Sequence, residues 1–176
     1  SSTVQNPTIA GATTLATGTY SVRVTVAGCA GPFGTVAVVV NPIPAAPIAG
    51  SNSPLCAGQT LNLTASNIAG ATYNWTGPNS FTSTTQNPSI ANATTAASGV
   101  YTVTAKALGC TSAPVTTTAL VKPTPTATAT VVSGPTTICQ GDTVKIQAGT
   151  GPGYLFQCKN GGTRISGATS SLYSAL

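Results

Sequence analysis

Hydrophobic and polar residues alternate along several short stretches of this chain, and turn-forming residues separate the stretches. Thr60-Leu61-Asn62-Leu63-Thr64 alternates, as does Thr72-Tyr73-Asn74-Trp75-Thr76, which runs into Gly77-Pro78-Asn79. Between Gly99 and Ala107 the apolar positions include Tyr101, Val103 and Ala105, and Val115 to Val121 reads as a further strand. A period of two lines up one set of side chains on one face of a strand, so each stretch predicts a half-buried β-strand. No segment shows the period of an amphipathic helix, and no apolar run approaches the ~20 residues that a membrane helix needs. The predicted class is all-β.

The strand signals recur at a fixed interval. Gln5-Asn6-Pro7-Thr8-Ile9-Ala10 returns as Gln86-Asn87-Pro88-Ser89-Ile90-Ala91, and Gly18-Thr19-Tyr20-Ser21-Val22 as Gly99-Val100-Tyr101-Thr102-Val103. Gly28-Cys29 matches Gly109-Cys110 and Asn41-Pro42 matches Lys122-Pro123, all at an offset of 81 residues. Cys56-Ala57-Gly58-Gln59-Thr60-Leu61 returns as Cys139-Gln140-Gly141-Asp142-Thr143-Val144 at an offset of 83. A period of about one small domain predicts tandem modules. Residues 1–45 read as the C-terminal part of one repeat, 46–125 as a complete repeat, and 126–176 as the N-terminal part of a third. The chain is therefore expected to be a piece of a longer array, with any export signal outside it. Pro42-Ile43-Pro44 and Pro123-Thr124-Pro125 read as semi-rigid links.

Composition narrows the function more than the fold. Of 176 residues only 4% are charged, Asp142 is the one acidic residue, and there is no His or Met. The 33 threonines supply a polar surface while favouring strands, because Thr is β-branched and carries a hydroxyl. Hydrolysis or group transfer needs a base, usually His, Asp or Glu, and a Ser or Thr nucleophile here would have almost none to call on. No enzyme and no cofactor are expected. Calcium asks for several carboxylates, and zinc for His or paired Cys, so no metal site is expected either. The six cations, Arg23, Lys106, Lys122, Lys145, Lys159 and Arg164, are spread along the chain without a cluster, which argues against nucleic acid. Five cysteines without a Cys-x-x-Cys pair point to disulfides and an oxidising, extracellular setting.

Ala97-Ser98-Gly99-Val100-Tyr101-Thr102-Val103 resembles the tyrosine corner of immunoglobulin domains, with Val103 where the second core cysteine would stand. Trp75 resembles the core tryptophan and Leu63 takes the place of the first cysteine. The resemblance implies a β-sandwich with Leu63, Trp75, Tyr101 and Val103 in its core and an apolar contact in place of the usual disulfide. Taken together, Cys-x-Gly-Gln-Thr-Leu, Tyr-x-Trp-Thr-Gly-Pro, Gly-x-Tyr-Thr-Val-Thr and Gly-Cys resemble the Ig-like and PKD-like repeats of giant surface proteins of Bacteroidota, clients of type IX secretion. That family implies a structural or adhesive segment of a cell-surface fibre or adhesin. The other readings are a module that binds glycans or proteins, and a stalk displaying a catalytic domain elsewhere. Implied partners are further copies in a multi-chain fibre, or other cell surfaces and glycans, with no membrane insertion in this segment. The third copy departs from the pattern, with Gln157-Cys158 where Trp is expected, and the aspartates that bind calcium in some surface repeats are missing.

The same resemblance frames the modification sites. Asp142-Thr143-Val144 resembles a Bacteroidota O-glycosylation site at Thr143, the alternative being a plain surface turn before a strand. Asn62, Asn74 and Asn92 open Asn-x-Thr triplets, which a Thr-rich chain produces by chance. Tyr73, Trp75, Tyr101 and Phe81 read as core residues rather than as a sugar platform. In an immunoglobulin topology Cys56 and Cys110 lie at opposite ends of a module, too far apart for a disulfide. Cys29, Cys56 and Cys110 are then candidates for bonds between consecutive modules, with partners outside this chain. Cys139 and Cys158 are candidates for a bond within the third repeat, where Asn160-Gly161 predicts a turn; the alternative is a buried thiol at Cys158.

Overall fold

The structure is a computed structural model describing residues 2–140, 142–166 and 168–175. The strands in chain order are β1 Gly18–Val26, β2 Cys29–Val38, β3 Ala49–Ser51, β4 Leu55–Cys56, β5 Leu61–Ala65, β6 Thr72–Gly77, β7 Phe81–Ser83, β8 Ser89–Ile90, β9 Gly99–Ala107, β10 Cys110–Thr111, β11 Val115–Ala119, β12 Val121–Lys122, β13 Ala129–Ser133, β14 Val144–Ala148, β15 Lys159–Asn160, β16 Thr163–Arg164 and β17 Leu172–Ala175. Short 3-10 turns at Thr14–Ala16 and Thr95–Ala97 are the only helical elements among the described residues. The chain separates into two compact units, Ser1–Pro123 and Thr124–Leu176. That division falls inside the predicted proline link, two residues before Pro125.

In the middle repeat β3, β5 and β8 form one sheet, and β10 and β11, β9, β6 and β7 form the other. β4 leaves the first sheet and pairs in parallel with β12. This is the A-B-E and G-F-C-C′ arrangement of an immunoglobulin-like sandwich, with strand A split so that its second half lies along strand G. The split falls at Ser53-Pro54, whose peptide bond is cis.

Alternation decides what fills the sandwich. Leu61, Leu63 and Ala65 of β5, Tyr73 and Trp75 of β6, and Tyr101, Val103 and Ala105 of β9 are all buried in one cluster. Polar atoms within it are matched: the Trp75 indole N–H donates to the Gln86 carbonyl at 3.1 Å and the Tyr101 hydroxyl to the Ala97 carbonyl at 2.8 Å. The Gln-Asn-Pro motif finishes strand β5. The Ala65 N–H donates to Asn87 Oδ1, and Gln86 Nε2 donates to the Ala65 carbonyl, so two side chains stand in for a missing strand partner.

β1 and β2 repeat the β9 hairpin at the 81-residue offset, including a Tyr20 hydroxyl that donates to the Ala16 carbonyl at 2.7 Å. Its apolar face has no opposing sheet among the described residues. Tyr20 is 37% exposed and Val22 65%, whereas their equivalents Tyr101 and Val103 are 0% exposed. In the second unit β13, β14 and β17 form an A-B-E sheet, and β15 with β16 form a C-C′ hairpin. The reversal uses Gly161 and Gly162, both at positive φ, one residue beyond the predicted Asn160-Gly161 centre.

Candidate functional site

The features that set this chain apart from a generic sandwich lie at the ends of the middle repeat. At one end is the hairpin tip between β9 and β10. Leu108 (φ 51) and Gly109 (φ 84) both adopt left-handed backbone, giving the type I′ turn whose twist suits a two-residue hairpin. Cys110 follows at once, paired with Ala107. Ala27 (φ 50), Gly28 (φ 85) and Cys29 reproduce the tip in the first hairpin, with Cys29 paired to Val26.

The link from the preceding repeat docks on this tip. Asn41 Nδ2 donates to the Leu108 carbonyl at 2.9 Å, and the Cys110 thiol donates to the Asn41 carbonyl at 3.6 Å. Sequence reasoning aligned Asn41 with Lys122 but gave it no role; its place just before a repeated Pro was the available signal.

At the other end, β4 lies against the exit strand. Leu55 pairs with Val121 and Cys56 with Lys122. The Leu55 N–H donates to the Leu120 carbonyl at 3.1 Å and the Ala57 N–H to the Lys122 carbonyl at 2.8 Å. Cys56 is exposed on a tight turn, its N–H donating to Gln59 Oε1 at 2.9 Å. Cys139 repeats this turn with Asp142, whose Oδ2 accepts the Cys139 N–H at 3.0 Å.

All five cysteines are free thiols in the structure; Cys29, Cys56 and Cys110, the candidates for bonds between modules, have their expected partners outside this chain. Cys158, half-buried, stands at the position of Trp75 at the 83-residue offset, and Cys139 is on the exposed turn equivalent to Cys56.

The remaining candidates are placed as follows. Tyr73 and Trp75 are buried and Phe81 half-buried, its ring edge-on to Tyr101 at 5.5 Å, so these aromatics form no open platform. Burial pushes the Tyr101 phenol above its usual range. Thr143 is exposed just ahead of β14, and Asn62, Asn74 and Asn92 are exposed. Arg23 lies over the Phe33 ring, 5.1 Å from its centre. Among the described residues no cluster of three or more His, Cys, Asp or Glu could hold a metal, and no helix is long and apolar enough to cross a membrane.

No protein-family model and no curated protein matches the chain. Among solved structures it is similar to the amphioxus IgVJ-C2 molecule at 22% identity and TM-score 0.39, covering 62% of this chain and 63% of that one. It is similar to the human OSCAR ligand-binding domain at 16% identity and TM-score 0.34, covering 77% and 84%. It is similar to the N-terminal eight Ig domains of Down Syndrome Cell Adhesion Molecule at 13% identity and TM-score 0.35, covering 89% of this chain and 24% of that one. The assignment of an immunoglobulin-like fold stands on the strand order and core described above.

Proposed function

We propose that this chain is a load-bearing segment of a secreted surface fibre or adhesin, in which immunoglobulin-like modules in series give reach and resist tension. The observation that carries the reading is the parallel pairing of β4 with β12. The chain enters the module through β3, which pairs with β5, runs on into β4, and leaves just after β12. Tension on the two ends therefore pulls these strands in opposite directions along their length. The hydrogen bonds between them are loaded in shear and must fail together, whereas a hairpin pulled at its open end unzips one bond at a time. Tandem repetition with short proline links adds length without loose chain. An extracellular location follows from the same proposal, as does Thr143 as a glycosylation point on an exposed turn.

Single-molecule pulling tests the proposal. The middle repeat held at residues 46 and 123 is expected to resist a higher force than the same repeat held at 46 and 108, a geometry that peels the sheet. Ala57→Pro removes the N–H that bonds Lys122 and is expected to lower the first force but not the second. Equal forces in both geometries would contradict a mechanical role.

A further inference from the structure

We infer that consecutive repeats are joined by a disulfide between the turn cysteine of one, Cys56 here, and the hairpin-tip cysteine of the next, Cys110 here. The inference rests on the tandem-module reading and adds a covalent bond at every joint. One residue links the two cysteines. Within the middle repeat Cys56 is in register with Lys122, the last strand residue before Pro123. At the 81-residue offset the equivalent of Lys122 in the preceding repeat is Asn41. A turn cysteine in that repeat is thus in register with Asn41. The Cys110 thiol already lies 3.6 Å from the Asn41 carbonyl, and Asn41 Nδ2 holds the Leu108 carbonyl at the same tip.

Both cysteines of such a joint are then neighbours of the same residue, Asn41. Neighbouring strands lie about 4.8 Å apart, and a disulfide forms when the Cα atoms come within about 7 Å. A pairing of Cys56 with Cys110 in the same module is excluded by position. Cys110 touches the incoming link at Asn41, while Cys56 is paired with Lys122 at the exit. Cys29 belongs to the tip class and Cys139 to the turn class, so every joint of such an array receives one thiol of each kind.

The chemistry is thiol–disulfide exchange with an external disulfide, either a small molecule or an oxidoreductase. One thiolate attacks the oxidant to give a mixed disulfide, and the second thiolate displaces the oxidant's remaining sulfur. Two thiols lose two protons and two electrons, and the oxidant's disulfide is reduced to two thiols, one released in each step.

The test adds a half-module ahead of β1. A copy of residues 46–81 fused ahead of Ser1 of the full chain supplies the strands opposite β1 and β2 at the natural spacing and brings in one turn cysteine. In a glutathione redox buffer, peptide mapping without reductant is expected to link the added cysteine to Cys110. Cys29, Cys56 and Cys139 should stay open to alkylation. A link from the added cysteine to Cys29, or alkylation of both the added cysteine and Cys110, would overturn the staple. Hydrogen exchange in β1 and β2 scores the module reading separately: protection without the bond defeats the staple alone, and continued rapid exchange defeats the module. Should the fusion fail to fold, Asn41→Cys in the unextended chain carries the test. A bond from that cysteine to Cys110 supports the joint geometry, and free alkylation of both overturns it.

Discussion

Trp75 has no exposed surface, and its indole N–H reaches the Gln86 carbonyl at 3.1 Å. Removing it leaves a large cavity among Leu61, Leu63, Tyr101 and Val103, which other side chains cannot fill without distortion. Trp75→Ala is expected to cost about 3–5 kcal/mol, most of the stability of a module this size, and urea unfolding measures it. Tyr101 adds a second test. Tyr101→Phe removes a buried hydrogen bond and is expected to cost about 0.5–1.5 kcal/mol. Because burial raises the folded-state pKa of Tyr101, the native state keeps the proton longer than the unfolded chain. Its contribution is complete below about pH 10, where the unfolded phenol starts to ionise, and is lost as pH rises through the folded value. Urea midpoints between neutral and alkaline pH should fall more steeply in the parent than in Tyr101→Phe. These positions are legible in the sequence because a core residue leaves a period-two trace. Cys158 leaves none: at Trp75's position it is small enough to be a thiol in a repacked core or half of a disulfide, and spacing alone does not separate the two.

Hairpin tips show where element-level reasoning succeeds and where it stops. Gly28-Cys29 and Gly109-Cys110 recur visibly, but the preceding Ala27 and Leu108 give no sign of their left-handed backbone. A left-handed conformation costs a non-glycine residue roughly 1–2 kcal/mol, less for Asn. Leu108→Asn is therefore expected to raise the thermal midpoint, while Leu108→Val should lower it. Equal midpoints for both variants would show that the turn is not strained. The exposed Leu108 side chain makes the comparison clean, since little packing is lost. The split of strand A and the two-residue strand β8 were not legible, because elements that short have no measurable period. The Gln-Asn-Pro motif was visible as a repeat, yet its work of capping β5 with side chains appears only once β5 and Asn87 are brought together. The parallel β4 and β12 pair escapes any local signal for the same reason: it joins residues more than sixty positions apart in the chain.

At the scale of the whole molecule, the scarcity of charge sets the solution behaviour. With one acidic side chain and no histidine, few side chains change charge between about pH 5 and pH 7. The thermal midpoint is expected to stay within a few degrees from about pH 5 to pH 7, unlike that of proteins rich in histidine and paired carboxylates. Calcium or a chelator should leave it unchanged, and a shift of several degrees would reveal a site built from carbonyls. Little like-charge repulsion keeps such surfaces apart, so lateral association of multi-repeat chains into a fibre is expected in sedimentation. All of this presumes that the period of about 80 residues is one self-sufficient module, and residues 46–123 expressed alone test that directly. Trp75 emission followed through urea should show a buried indole and a single cooperative transition with the stability of an ordinary small domain. A solvent-exposed spectrum without a transition, restored only when residues 1–45 are present, would contradict the account.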